Sequence, residues 1–286
     1  MNNIYEETKH ILKKYGITAN KSLGQNFLIN DEVVTGIIEK AEITSEDLVI
    51  EIGPGLGTLT KELLEKAGKV IAIELDKRMI EILTDRFGLY SNFELINQDV
   101  LKVDLNKLIQ ENLNENIKKA KIVANLPYYI TTPIIMKLLE EKLPIETITV
   151  MIQKEVADRL IEIPGGKNSG AITYSVYYYA EAEEVLKVEP NSFIPEPAVD
   201  SKVIKLTIRK ENAVKVQDEK TMFKIIKYAF MQRRKTLVNA LEKTDIFKEK
   251  KEVIEILEKL GLNNKRRGEA LSLEDYANIA NFVTKM

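Results

Sequence analysis

Leu48-Val49-Ile50-Glu51-Ile52-Gly53-Pro54-Gly55-Leu56-Gly57-Thr58-Leu59-Thr60 decides the fold. An apolar run that stops at glycines spaced two apart, followed by the helical pattern of residues 59–67, reads as a strand, a tight turn and a helix. That is the nucleotide-binding end of a doubly wound α/β sheet. Glycine supplies backbone conformations that other residues resist there, and it lets a ligand approach without meeting a Cβ. The spacing is Gly53-x-Gly55-x-Gly57, with Thr58 where a dinucleotide fingerprint carries its third glycine, so NAD is disfavoured. No G-x-x-x-x-G-K-[ST] stretch occurs, which excludes a P-loop.

Working outward, the apolar run at 69–73 ends in Glu74-Leu75-Asp76, and Glu74 lies 19 residues beyond Gly55. A carboxylate at that place can accept both hydroxyl protons of a ribose. A third run, 93–97, leads into Gln98-Asp99-Val100, where Asp99 can accept from an adenine amino group. A fourth, 120–124, leads into Asn125-Leu126-Pro127-Tyr128. The Asn125 amide oxygen and the Leu126 carbonyl can both accept from one exocyclic NH₂, Pro127 fixes the turn through its locked φ, and Tyr128 can stack on a planar ring. Four consecutive strand ends thus carry ligand-type groups. They predict a nucleoside-bearing cofactor across the sheet edge and a second base presented to Asn125.

This order of motifs resembles that of adenine N6-methyltransferases that use S-adenosylmethionine. Three further stretches narrow the likeness: Lys21-Ser22-Leu23-Gly24-Gln25-Asn26-Phe27-Leu28, Phe193-Ile194-Pro195-Glu196-Pro197-Ala198-Val199-Asp200-Ser201 and Gln232-Arg233-Arg234-Lys235-Thr236-Leu237. With them the chain resembles, over nearly its whole length, the small-subunit (16S) ribosomal RNA adenine N6,N6-dimethyltransferase family. A sister family that dimethylates a large-subunit (23S) rRNA adenine and confers macrolide resistance shares the methyltransferase domain. Pro54 between the glycines, Asn-Leu-Pro-Tyr in place of Asn-Ile-Pro-Tyr, and the Gln-Arg-Arg-Lys-Thr-Leu stretch favour the small-subunit branch. A noncatalytic assembly factor that kept the fold is the other alternative, against which the cofactor and amino-group constellation stands intact.

The resemblance implies a Rossmann-like sheet that binds S-adenosylmethionine and methylates two adjacent adenosines in an rRNA hairpin near the 3′ end, with a role in small-subunit biogenesis. Cofactor contacts are then expected at Gln25, Asn26, Leu28, Gly53, Gly55, Gly57, Glu74, Leu75, Asp99, Val100 and Asn125. Catalytic contacts are expected at Asn125, Leu126, Pro127 and Tyr128, with Phe193 helping to hold the base. Glu51 reads as an acceptor that fixes the turn. Accepting both amino hydrogens would direct the nitrogen lone pair at a sulfonium methyl. Such orientation is worth roughly 7–11 kcal/mol in favourable cases. Stacking adds about 1–3 kcal/mol per base, which offsets extrusion from a loop.

Composition agrees. At 286 residues with 44% hydrophobic residues, the chain can bury a sizeable core. Zero cysteines exclude disulfides, thiolate zinc sites and a cysteine nucleophile, and the single histidine, His10, leaves no histidine triad or metal cluster. Apolar stretches are strand-sized, and the amino terminus lacks the basic and apolar regions of a signal peptide. A cytoplasmic monomer that uses no membrane and no metal is expected.

The net charge of −2 hides a split. Residues 209–286 hold 18 Lys+Arg against 12 Asp+Glu, leaving 24 against 32 in residues 1–208. Arg233-Arg234-Lys235 and Lys265-Arg266-Arg267 each pack three cations into three residues, which predicts phosphate contacts. The tail reads helical, with apolar positions at Phe223, Ile226, Ala229 and Phe230, then Leu237, Val238 and Leu241, then Val253, Ile256, Leu257 and Leu260 closed by Gly261. Ser272-Leu273-Glu274-Asp275 starts a last helix. The alternating run 202–208 completes the sheet, so the expected domains are 1–208, the methyltransferase domain, and 209–286, a small all-α RNA-binding domain. Tyr174, Tyr177, Tyr178 and Tyr179 read as core and interdomain packing.

Overall fold

The computed structural model describes residues 3–20, 23–242 and 244–285. Lys21 and Ser22, the first two residues of the 21–28 motif, lie outside the described residues. Two compact units result: Met1–Ala157 with Ala182–Ile208, and Asp158–Glu181 with Arg209–Met286.

Along the chain run α1 (Ile4–Lys14), β1 (Phe27–Leu28), α2 (Asp31–Lys40), β2 (Asp47–Ile52), α3 (Thr58–Lys66), β3 (Lys69–Glu74), α4 (Lys77–Phe87), β4 (Phe93–Asn97), α5 (Leu105–Asn112), β5 (Lys119–Asn125), α6 (Thr131–Glu140), β6 (Thr147–Gln153) and α7 (Lys154–Ile161). There follow α8 (Ala171–Tyr179), β7 (Ala180–Val188), β8 (Phe193–Ile194), β9 (Ser201–Ile208), α9 (Glu219–Met231), α10 (Leu237–Leu241), α11 (Lys250–Lys259) and α12 (Leu273–Thr284).

The main sheet has the order β4-β3-β2-β5-β6-β9-β7. Strands β2 to β6 pair in parallel, and β9 returns antiparallel to β6. Every residue of β2 is buried, as a parallel strand covered by helices on both faces must be. That is why its sequence holds the apolar run Leu48-Val49-Ile50. Its one charge at the start, Asp47, pairs with Lys121 at 3.0 Å. Chain order reverses at β2, with β3 on one side and β5 on the other, so the crevice at the carboxyl ends of these strands is where such folds hold ligands. The four strands whose ends carry the ligand-type residues are neighbours here.

A second ribbon pairs β1 with β8, placing Leu28 opposite Phe193. Phe193 is 1% exposed and belongs to the hydrophobic core beneath this ribbon.

The second unit is built on aromatic side chains. The Tyr174 ring meets Phe230 at 5.4 Å and Tyr276 at 5.2 Å, and Tyr178 meets Phe223 at 5.3 Å, all edge to face. Buried hydroxyls find carbonyls: Tyr174 donates to Leu271 at 2.6 Å and Tyr276 to Gly268 at 2.9 Å. The expected break after Ile208 coincides with the end of β9, but residues 158–181, assigned from sequence to the first domain, group with the tail. Their tyrosines are the reason: Tyr174, Tyr178 and Tyr179 are buried against tail residues of the same unit, while Tyr177 is exposed. Ser272 and Asp275 cap α12 reciprocally, as their spacing predicts. Among the described residues, no helix is long and apolar enough to cross a membrane.

Candidate active site

The glycine turn between β2 and α3 bends through three left-handed residues, Gly53, Gly55 and Gly57, with φ of 68°, 58° and 84°. The three differ in surroundings. A Cβ on Gly53 or Gly55 would have no atom closer than 3.6 Å, so that side of the turn is open to a ligand. A Cβ on Gly57 would lie 2.3 Å from the Phe87 ring, because α3 begins hard against α4. Gly53 and Gly55 line the main pocket; Gly57 does not. Gly57 thus has a packing role at the start of α3. From behind, Arg86 of α4 donates to the Leu56 carbonyl and to Glu7 of α1, so the turn is braced by a guanidinium that no sequence motif signals.

Two carboxylates stand under the turn. Glu74, at the end of β3, accepts from the Gly55 amide at 3.2 Å and the Asp76 amide at 2.8 Å. Burial nevertheless raises its pKa. Glu51 is 1% exposed and accepts from the Thr60 hydroxyl at 2.6 Å, tying the end of β2 to α3 as a turn-fixing acceptor should. Asp76 anchors the pocket-lining Gln25, a role its sequence did not signal, although a carboxylate just before a helix is a capping signal. It caps α4 and accepts from Gln25 at 2.9 Å, while Arg78 beside it holds its carboxyl below the usual range. Gln25 in turn accepts from the Asn20 amide at 2.9 Å, so the motif before β1 is anchored to the sheet edge.

Asp99 lies at the next strand end, where one of its oxygens accepts from the Leu101 amide at 3.0 Å. No described donor reaches its other oxygen. Leu75, 50% exposed, and the buried Val100 border the same pocket, as do Asn26, Leu28 and Glu74.

Asn125 ends β5. Its Nδ2 donates to the Asn26 carbonyl at 3.2 Å, which turns Oδ1 outward as an acceptor. The Leu126 amide is spent on the Met151 carbonyl at 3.1 Å, and the Pro127 carbonyl accepts from Ile130 at 3.2 Å and from Thr131 Oγ1 at 3.1 Å. The Leu126 carbonyl has no donor among the described residues. Two acceptors are thus left at the pocket edge. The Tyr128 hydroxyl shares a 2.6 Å hydrogen bond with Ser201 of β9, which pins its ring, and burial raises its pKa. Ser201 closes the 193–201 motif, so its position was visible in the sequence while its partner was not. Phe193, expected beside Tyr128, does not line the pocket. Pairing of β8 with β1 sets that ring in the core.

In the second unit the two basic triads converge. Thr236 pairs with Arg267 in an isolated antiparallel bridge, and the Leu237 amide donates to the Arg266 carbonyl at 2.8 Å. Glu269 pairs with Arg233 at 3.2 Å and reaches Arg267 at 3.9 Å. Arg234, Lys235, Lys265 and Arg266 are exposed, and no described carboxylate pairs with them. The two triads thus form one basic surface, in which Glu269 is the acid that pairs with them among the described residues.

Residues 16–285 match the ribosomal RNA adenine dimethylase family. The ribosomal RNA small subunit methyltransferase A of Bacillus pumilus is 49% identical over 280 residues, covering 97% of this chain and 96% of its own. That of Clostridium botulinum is 50% identical over 276 residues, covering 96% and 98%. Among solved structures, a dimethyladenosine transferase from Plasmodium falciparum superposes with a TM-score of 0.75 at 28% identity, covering 91% of this chain and 98% of that one. A 23S rRNA methyltransferase superposes with a TM-score of 0.66 at 26% identity, covering 91% and 100%. With a family match that runs almost from end to end and relatives near half-identical over their full length, the chain belongs to the ribosomal RNA adenine dimethylase family.

Proposed function

We propose that this protein uses S-adenosylmethionine to dimethylate N6 of two adjacent adenosines in a hairpin near the 3′ end of small-subunit (16S) rRNA, acting as a cytoplasmic monomer during small-subunit biogenesis. The observation that carries the reading is the pair of unspent acceptors, Asn125 Oδ1 and the Leu126 carbonyl, at the edge of one pocket. An amino group with two hydrogens is the ligand that such a pair fits.

The other end of the pocket fits the cofactor. Asp99 has an oxygen left that would accept from the adenine amino group, and Leu75, Val100 and Glu74, which border the same pocket, would hold the nucleoside. Gly53 and Gly55 leave room for the amino-acid part. When bound, S-adenosylmethionine supplies an electrophilic methyl group. The protein's share is orientation. In the first transfer Asn125 and Leu126 hold both N6 hydrogens, and in the second they hold the one that remains, which favours a pyramidal nitrogen and aims its lone pair, while Tyr128, pinned by Ser201, holds the ring plane. Orientation of this kind contributes roughly 7–11 kcal/mol in favourable cases. The two acceptors are carbonyl oxygens, too weakly basic to keep a proton, so the proton displaced from nitrogen passes to solvent.

Arg233, Arg234, Lys235, Lys265, Arg266 and Arg267 bind the rRNA phosphates in this reading, with Arg234, Lys235, Lys265 and Arg266, which pair with no described carboxylate, as the principal contacts. Relatives of nearly half-identical sequence that are named for the small subunit favour that substrate over the large-subunit one.

The test is transfer of labelled methyl to purified small and large subunits that lack native methylation, with the product base identified by mass spectrometry. N6,N6-dimethyladenosine in small-subunit rRNA is the expected result. Label confined to large-subunit rRNA would assign the protein to the resistance branch, and RNA binding without transfer would make it an assembly factor.

A further inference from the structure

Tyr129 is 55% exposed, and it lines the pocket that holds Asn125 and Leu126. Its neighbour behaves differently. Tyr128 is tied through its hydroxyl to Ser201, whereas no described side chain bonds the Tyr129 hydroxyl. The Tyr129 ring lies instead against the backbone at Gly24, which has a φ of 60°. A Cβ on Gly24 would sit 3.3 Å from Tyr129 Cδ1, so a glycine there lets the ring lie close on the 23–28 segment. The ring has Gly24 beside it, and more than half of the residue's surface stays open to solvent. A bare aromatic face at the mouth of a base-sized pocket is a stacking platform, and stacking accepts any base.

We infer that Tyr129 stacks on the nucleotide next to the adenosine whose amino group is held by Asn125 and Leu126. This rests on the methyltransferase reading above and extends it, because a substrate with two adjacent target adenosines always has a second base beside the first. Tyr128 and Tyr129 then divide the work: the pinned ring orients the reacting base, and the open ring captures its neighbour. Tyr129 contributes to RNA capture rather than to the transfer step or to cofactor binding.

The test compares wild type, Tyr129→Ala and Tyr129→Phe in steady-state methylation of small subunits that lack native methylation, with cofactor affinity measured separately by calorimetry on the same preparations. Loss of one stacking face should raise KM for the subunit by about tenfold in Tyr129→Ala, with kcat within about twofold. Tyr129→Phe, which keeps the ring, should restore wild-type KM, and both variants should bind S-adenosylmethionine as wild type does. An unchanged KM in Tyr129→Ala overturns the inference, as does a Tyr129→Phe that matches Tyr129→Ala, or a fall in cofactor affinity as large as the rise in KM. A wild-type protein that methylates no small subunit refutes the underlying reading instead, so the two failures are distinct.

Discussion

At the scale of single residues, Glu51 is the most strongly perturbed acid beside the pocket. Desolvation pushes its carboxyl up to about 8 from an ordinary 4.5, with the Thr60 hydrogen bond opposing and the Glu74 charge adding. Between those two values the folded protein keeps a proton that the unfolded chain has lost. Its contribution to stability is therefore whole below about pH 4.5 and fades as pH rises toward 8. Glu51→Gln keeps an uncharged acceptor for Thr60 and removes the titration. Its melting temperature should fall less than that of wild type between pH 5 and pH 8.5, and parallel melting curves across that range would contradict the assigned protonation. Asn125 was legible in sequence because its amide, the following carbonyl, the proline and the tyrosine are contiguous. Glu74 was legible only in part. Its place at the strand end followed from spacing, but its first partners are the amides of Gly55 and Asp76, which only the folded turn brings near. The core position of Phe193 was not legible, because a two-residue ribbon carries no periodicity that says which ring faces inward.

At the scale of elements, the glycine turn separates binding from packing. Gly57→Ala would drive a Cβ into the Phe87 ring in a left-handed conformation, and overpacking of this kind costs about 1–3 kcal/mol. Urea denaturation should show that loss. Gly55→Ala meets nothing nearer than Phe27 at 3.6 Å and carries only the left-handed penalty of about 1–2 kcal/mol. It should remain folded while cofactor affinity, measured by calorimetry, falls, since the new methyl points into the open side of the turn. Equal effects of both substitutions on folding and binding would contradict this division. The strands at 48–50, 69–73, 93–97, 120–124 and 202–208 were readable from apolar runs that stop at turn residues. Strand β7 was not, because Glu181, Glu183 and Glu184 give an edge strand the composition of a solvated loop. Residues 158–181, read from sequence with the first domain, group with the tail, since sequence order is a poor guide where a segment leaves one unit and returns to it.

At the scale of the whole molecule, a net charge of −2 conceals a basic tail, and the fold concentrates that excess further by joining two triads through the Thr236–Arg267 bridge. Charge counting found the triads; their convergence depended on a bridge that no local pattern signals. Replacing Arg234, Lys235, Lys265 and Arg266 one at a time with Gln should weaken rRNA binding across sequences and lower the slope of log K against log salt by about one for each phosphate that the replaced cation neutralises. Filter binding over a salt series reads this directly, and unchanged slopes would remove the triads from the interface. The claim on which the rest depends is that catalysis comes from orienting the amino group by Asn125 Oδ1 and the Leu126 carbonyl. The most direct measurement is the single-turnover rate of methyl transfer at saturating cofactor and saturating small subunit, in wild type and Asn125→Ala. The account predicts a fall of about a hundredfold or more, the loss expected when a reacting group is no longer held in place. A variant that transfers methyl at the wild-type rate under those conditions would contradict it.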